Sequence, residues 1–270
     1  MTQNHIPALW IVQRNLGNNG ELVAALDREK IRHLDVDVVP FSDDIPNIDY
    51  QGPVVCYGAT GFIARVARAG RWQPATFYDP ATFRYTEYLA HWGDRMLNSD
   101  ARVTTIGGFG QESHLPDRLF YVRPVADLKE FAGDVIEFGK LREWFSNISA
   151  GEYTLKPDCQ IIVAEPTVIR AEYRLFMLDG QCIAASQYKL NGRLASREGC
   201  RLDFVLAAEK AAREWSPSPV FVMDVCEARP DEFKIVEANC FNSAGFYKAD
   251  MDCIVAEVSR FVEHAHGKNC

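Results

Sequence analysis

Near residue 100 the chain changes its periodicity, and that change excludes any fold built on a single kind of sheet. Before it, strand-like and helix-like segments alternate. Residues 8–13 read as a buried strand, and residues 20–33 carry Leu22, Val23, Leu26 and Ile31 at the spacing of an amphipathic helix. Residues 36–41 and 53–57 read as further strands, and 62–69 as a short helix following Gly61. Such alternation predicts βαβ units on a largely parallel sheet. The Gly58-Ala59-Thr60-Gly61 turn between strand and helix has the composition either of a tight structural turn or of a phosphate cradle at a helix N-terminus. An aromatic-rich helix over residues 82–97 closes this half; its Tyr85, Tyr88 and Trp92, with Tyr78 and Phe83, fit either a core stripe or a cleft lining.

After residue 100 the pattern becomes one of hairpins. Strand-like segments at 102–106 and 119–122 flank Gly107, Gly108 and Gly110, a composition that predicts a mobile loop. Segments 173–178 and 181–188 surround Asp179-Gly180, a strong hairpin signal, and 220–226 and 234–240 surround Pro230-Asp231. Residues 251–264 close the chain as an amphipathic helix. Two units are expected, a βαβ unit over 1–100 and an α+β unit with antiparallel strands over 101–270, because single cores grow inefficiently at 270 residues.

Composition narrows the partners. Thirty-seven acidic against 29 basic side chains give a formal charge of −8, so no general field draws a nucleic-acid backbone, and no nucleic-acid partner is expected. The apolar run at 6–12 contains Pro7 and is too short for a signal peptide or a membrane span. The eight cysteines form no C-x-x-C pair and read as reduced thiols, so a cytoplasmic protein is expected. His264 and His266 read as a solvated tail.

The hairpins gather the chemistry. If the second one turns at Pro230-Asp231, Asp224 lies across from Glu237, and strand alternation puts Asn239 on the same face. Two facing carboxylates repel unless a cation lies between them; a hard divalent metal or a solvated surface pair both satisfy that pattern. On the first hairpin, Arg174 and Lys189 fall on one face with Glu172 and Gln187. Arg123 and Lys129 follow the 119–122 strand. Fixed cations beside a metal patch are what a nucleoside triphosphate requires, since its transfer chemistry is mostly positioning and charge stabilisation.

These residues resemble the ATP-grasp enzymes. Phe221-Val-Met-Asp224-Val followed by Lys234-Ile-Val-Glu237-Ala-Asn239 is similar to the D…E-x-N metal signature of that family, with the small-residue loop Asn242-Ser243-Ala244-Gly245 after it. Glu172-Tyr173-Arg174 through Asp179-Gly180 resembles the acidic-x-Arg strand and its turn. Ile161 to Pro166 resembles the apolar hinge that stacks adenine, and the seven-residue step from Glu165 to Glu172 matches that from a hinge acid to a ribose-binding acid. Phe120-Tyr-Val-Arg123-Pro124 through Lys129 to Gly133 resembles the signature of the small clade named for two arginines and a lysine.

The resemblance implies an N-terminal Rossmann-like unit followed by an ATP-grasp unit. It implies Asp224, Glu237 and Asn239 as magnesium ligands and Arg123, Lys129 and Arg174 as phosphate-binding, catalytic cations. It places Ile162, Val163, Ala164, Glu165, Glu172 and Lys189 around the nucleotide. Asn242 and Ser243 are candidate substrate contacts, and Gly107 to Gly110 is the candidate lid. The implied activity is a ligase that uses ATP and Mg2+ to join a carboxylate-bearing acceptor to an amine through an acyl phosphate. A kinase or a non-catalytic nucleotide-binding regulator would share the same site.

Overall fold

The computed structural model describes residues 6–15, 19–39, 44–126, 131–149 and 155–269; Lys129 lies outside them. The first elements are β1 (Leu9–Gln13), α1 (Asn19–Arg28), β2 (Arg32–Val36), β3 (Val54–Tyr57), α2 (Thr60–Ala69), β4 (Pro74–Ala75) and α3 (Tyr85–Trp92). Their strands form a parallel sheet in the order β2-β1-β3-β4. All five residues of β1 are buried because both faces are covered. Leu9 and Ile11 share a core with Phe62, Ile63 and Val66 of α2, whereas Trp10 and Val12 share another with Leu22, Ala25 and Leu26 of α1.

Several boundaries differ from expectation: the helix expected over 82–97 is confined to Tyr85–Trp92, with a 3-10 turn over Gly93–Arg95 after it. Helix α1 stops at Arg28, Lys30 takes a left-handed φ of 55°, and the strand expected at 36–41 already runs over Arg32–Val36. An edge strand that buries little carries a weak apolar signal, so Ile31 reads as part of the helix face. The 58–61 turn is built for close packing: a Cβ on Gly58 would lie 2.7 Å from Gln13 Oε1 and 2.8 Å from Phe62. Ala59 N donates to that same Gln13 oxygen at 2.9 Å.

Next come β5 (Arg102–Thr105), α4 (Ile106–Gly110), β6 (Leu119–Pro124), β7 (Asp134–Glu137), α5 (Phe138–Ser149) and β8 (Gln160–Ala164). These strands form an antiparallel sheet, β5-β8-β6-β7, over a core of its own that includes Phe109, Phe120, Phe138, Phe145, Ile161 and Val163. The expected glycine loop is therefore corrected: residues 106–110 form helix α4. Its glycines serve contact, since a Cβ on Gly107 would sit 3.2 Å from Pro157 O and one on Gly110 3.2 Å from Phe145.

The last set is β9 (Ala171–Leu178), β10 (Gln181–Leu190), β11 (Arg193–Glu198), α6 (Leu202–Glu214), β12 (Val220–Glu227), β13 (Phe233–Cys240) and α7 (Met251–Asn269). The strands pair antiparallel in the order β11-β10-β9-β12-β13. Tyr173, Leu175 and Met177 of β9 share a core with Phe204, Ala208 and Ala211 of α6. Phe176, on the opposite face, shares one with Ile254, Val255 and Val258 of α7. Alternation then puts Glu172 and Arg174 on the Phe176 face, beyond the helix. Helix α7 runs through His264 and His266, so the expected tail is helical. No helix among the described residues is long and apolar enough to cross a membrane, and the seven described cysteines are free thiols.

Candidate functional site

The β12–β13 register places Asp224 opposite Glu237; the pairs next to the turn run one residue out of that register, Val225 with Ile235, and a bulge between Asp224 and Val225 brings the two carboxylates face to face. Asp224 also pairs with Arg174 of β9. The Arg174 guanidinium forks onto it, Nε to Oδ1 at 2.8 Å and Nη2 to Oδ2 at 2.7 Å. Asn239 Nδ2 donates to Asp224 Oδ2 at 3.2 Å and to Glu237 Oε1 at 3.0 Å. The other Glu237 oxygen takes Nη1 of Arg123, which crosses from β6. A third pair joins Lys189 Nζ to Glu172 Oε1 at 3.1 Å. Three cations and three carboxylates thus pair on one face, with the Arg123 pair bridging the two antiparallel sheets.

Burial sets the electrostatics. It pushes the Asp224 carboxyl up, against the pull of Arg174 and with Glu237 and Glu172 adding to the push. It pulls the Arg174 guanidinium down, but the charge and hydrogen bonds of Asp224 outweigh it and leave Arg174 above its ordinary value. Burial also raises the Tyr188 phenol, with Asp224 and Glu172 contributing, so Tyr188 is a neutral donor to Glu172 Oε2 at 2.6 Å.

Two bulges in β10, between Cys182 and Ala184 and between Gln187 and Lys189, change the expected face. Gln187 pairs with Tyr173 and leaves the Arg174 face, while Tyr188 joins it. Sequence reasoning missed Tyr188 because a bulge has no period-two signature. Nor did it give the stacking of Tyr247 on Tyr188, with centroids 4.9 Å apart, or the contact of Tyr85 with Arg123, whose Cζ lies 5.6 Å from that ring. Phe83, Tyr85, Tyr88 and Trp92 are core residues.

Ile162 pairs with Arg123 and Ala164 with Tyr121, so these two share the Arg123 face; Val163 points into the small core of the four-stranded sheet. Glu165 stands apart in an exposed ion pair with Arg118. Asn242 is fully buried and directs its amide to the parallel sheet: Oδ1 accepts from Phe77 N and Nδ2 donates to Cys56 O, each at 2.7 Å. Ser243 is half-buried in the 3-10 turn Phe241–Ser243.

Among the described residues no group of three or more His, Cys, Asp or Glu side chains is placed to hold a metal ion. The set here is two carboxylates that already attract guanidinium groups and a carboxamide whose Nδ2 bridges them, leaving its oxygen as a hard donor of the same kind. Such a set fits magnesium, which keeps water and substrate phosphates in the rest of its shell.

The chain as a whole superposes on enzymes of the ATP-grasp fold. It matches the D-cycloserine synthetase DcsG with a TM-score of 0.64 at 13% identity, over 94% of this chain and 99% of that one. The D-alanine–D-alanine ligase from Bacillus anthracis matches at 0.60 and 10% identity, over 98% of each chain. The ATP-grasp ligase PsnB, complexed with its minimal precursor, matches at 0.58 and 13%, over 95% and 99%. No curated protein matches. Residues 52–258 match the model of an ATP-grasp domain, family 3 of the clade named for two arginines and a lysine, and the chain belongs to that family.

Proposed function

We propose that this chain is an ATP- and magnesium-dependent carboxylate–amine ligase working through an acyl phosphate. The observation that carries the reading is the convergence of three cation–carboxylate pairs on one face, Arg174–Asp224, Arg123–Glu237 and Lys189–Glu172, in a chain of the ATP-grasp family. That its structural neighbours include a D-cycloserine synthetase, the ligase PsnB and a D-alanine–D-alanine ligase supports the reaction class, and a PsnB structure with Mg and ADP supports the cofactors.

In this reading Asp224, Glu237 and Asn239 hold magnesium, which supplies charge neutralisation at the phosphates when bound. Arg174, Arg123 and Lys129 take phosphate oxygens. Ile162 and Ala164 flank adenine with Val163 behind them, Glu165 stands at the hinge, and Glu172 and Lys189 lie on the ribose side. A carboxylate oxygen of the acceptor attacks the γ-phosphorus in line, the bond to the β-phosphate oxygen breaks, and ADP leaves. The amine then attacks the acyl carbon, loses a proton, and expels phosphate. The fixed guanidinium groups stabilise charge that develops in the first step. Residues 1–100 form a Rossmann-like unit that helps hold the acceptor, residues 101–270 the nucleotide-binding unit, and the reaction belongs in the cytoplasm.

Incubation with Mg·ATP and a panel of carboxylates and amines tests the reaction. One ADP and one phosphate are expected per amide formed; AMP and pyrophosphate as the only nucleotide products would overturn the acyl-phosphate route. Mg·AMPPNP at 100 times its Kd adds about 2.7 kcal/mol of stability, a Tm rise of several degrees. The rise is expected to shrink in Glu237→Gln and Arg174→Ala.

A further inference from the structure

Arg174 is held on three sides. Asp224 takes Nε and Nη2, and Gly245 O accepts from Nη1 at 3.1 Å. The guanidinium lies over the Tyr247 ring, Cζ 5.1 Å from its centroid, with the Tyr188 centroid at 5.8 Å. The two rings lie nearly parallel, 11° apart. Only the unused edge of the guanidinium is left for a ligand, and the side chain is 11% exposed.

Tyr247 holds this place against its own backbone preference. Its φ is +54°, in the left-handed region where a bulky side chain is unfavourable by about 1 kcal/mol and glycine is not. The residue is also 38% exposed, so apolar burial offsets little of that cost. The segment around it is tied down independently: Lys248 N donates to Ser186 Oγ at 3.2 Å, and the Tyr57 hydroxyl donates to Ala244 O. The ring is thus not needed to close the loop.

We propose that Tyr247 is a positioning residue for Arg174. Its ring fixes the plane of the guanidinium and screens it from water, so that the free edge faces an incoming phosphate without reorganisation. Cation–π contact on a partly desolvated arginine is strong enough for this role, and stacking on Tyr188 locks the ring itself. Tyr188, through its bond to Glu172, links the same device to the Glu172–Lys189 pair. The assignment rests on the nucleotide-site reading given above.

Three proteins decide it: wild type, Tyr247→Phe and Tyr247→Gly, each titrated with Mg·AMPPNP by calorimetry and melted without ligand. The Phe variant keeps the ring and the strain; its affinity is expected within twofold of wild type. The Gly variant loses the ring but relieves the backbone, so its unliganded Tm is expected to hold while its affinity falls roughly tenfold. A residue serving only stability would show the reverse in the Gly variant, an altered Tm with unaltered binding, and that result overturns the assignment. Equal losses in Phe and Gly would also overturn it, by moving the role to the hydroxyl. Wild-type protein that fails to bind Mg·AMPPNP overturns the nucleotide-site reading and this assignment together, whereas wild-type affinity in the Gly variant overturns this assignment alone.

Discussion

Two arginine–aspartate forks of similar geometry lie at opposite ends of the burial scale. Arg174 and Asp224 meet at 2.7 and 2.8 Å with side chains 11% and 3% exposed. Arg28 and Asp252 meet through Nε at 2.9 Å and Nη2 at 2.5 Å, with side chains 56% and 39% exposed. The outer pair ties α1 to the first turn of α7, where water and salt screen it. The inner pair shares its face with two more pairs and has little water to take the place of a missing partner. The same chemistry is therefore a surface staple in one place and a poised charge in the other. A buried guanidinium that must have an anion is well prepared to hold a phosphate oxygen.

The largest expected effect breaks the inner pair from one side. Asp224→Ala leaves Arg174 buried without its counter-charge, which costs on the order of 3–5 kcal/mol and lowers Tm by about 10 °C. Removing both charges as Arg174→Leu with Asp224→Leu is expected to recover most of that loss, because buried pairs are replaceable by apolar groups, while Mg·AMPPNP binding disappears. Thermal melts and calorimetry on the three proteins check this. If Asp224→Ala melts like wild type, burial is not what separates the two forks.

Asn242→Ala comes next and probes a buried anchor that carries no charge. Losing its bonds to Phe77 N and Cys56 O leaves a donor and an acceptor unpaired, at about 1–3 kcal/mol each. Denaturant unfolding is expected to register that loss with Mg·AMPPNP affinity unchanged. The opposite pattern, weakened ligand binding at unchanged stability, would favour the contact with bound ligand expected from sequence.

What is legible in the sequence follows the same physics. The Asp224–Glu237 juxtaposition is reached from the sequence by strand alternation about a turn near Pro230-Asp231, but the pairs beside the turn run one residue off that register and the bulge between Asp224 and Val225, which has no sequence signature, restores it. The parallel sheet is legible through β1 and β3, which are buried on both faces, and less so through β2, an edge strand with partial burial. Tyr188 and Tyr247 are not legible, one being moved by a bulge and the other fixed by a left-handed backbone. Helix α4 reads as a loop because Gly107 and Gly110 oppose helix on propensity, and only their close approach to Pro157 and Phe145 explains them. The pairing of each proposed metal-binding carboxylate with an arginine is also hidden, since Arg123 arrives from a different sheet.

The smallest expected effect is at the outer fork. Arg28→Ala removes the hydrogen bonds that hold the Asp252 carboxyl below its ordinary value. A carboxylate lowered by folding stabilises the protein above its unfolded pKa, and that contribution is lost as pH falls through the folded one. Wild type and Arg28→Ala are therefore expected to differ slightly at neutral pH and low salt and to converge in acid. They should also converge in about 0.5 M salt, where the Debye length falls to ~4 Å. Melting curves across pH and salt measure this. A gap that survives both conditions would mean that the Arg28 stem contributes by packing along α1, and the contrast between the two forks would then rest on apolar contact as well as charge.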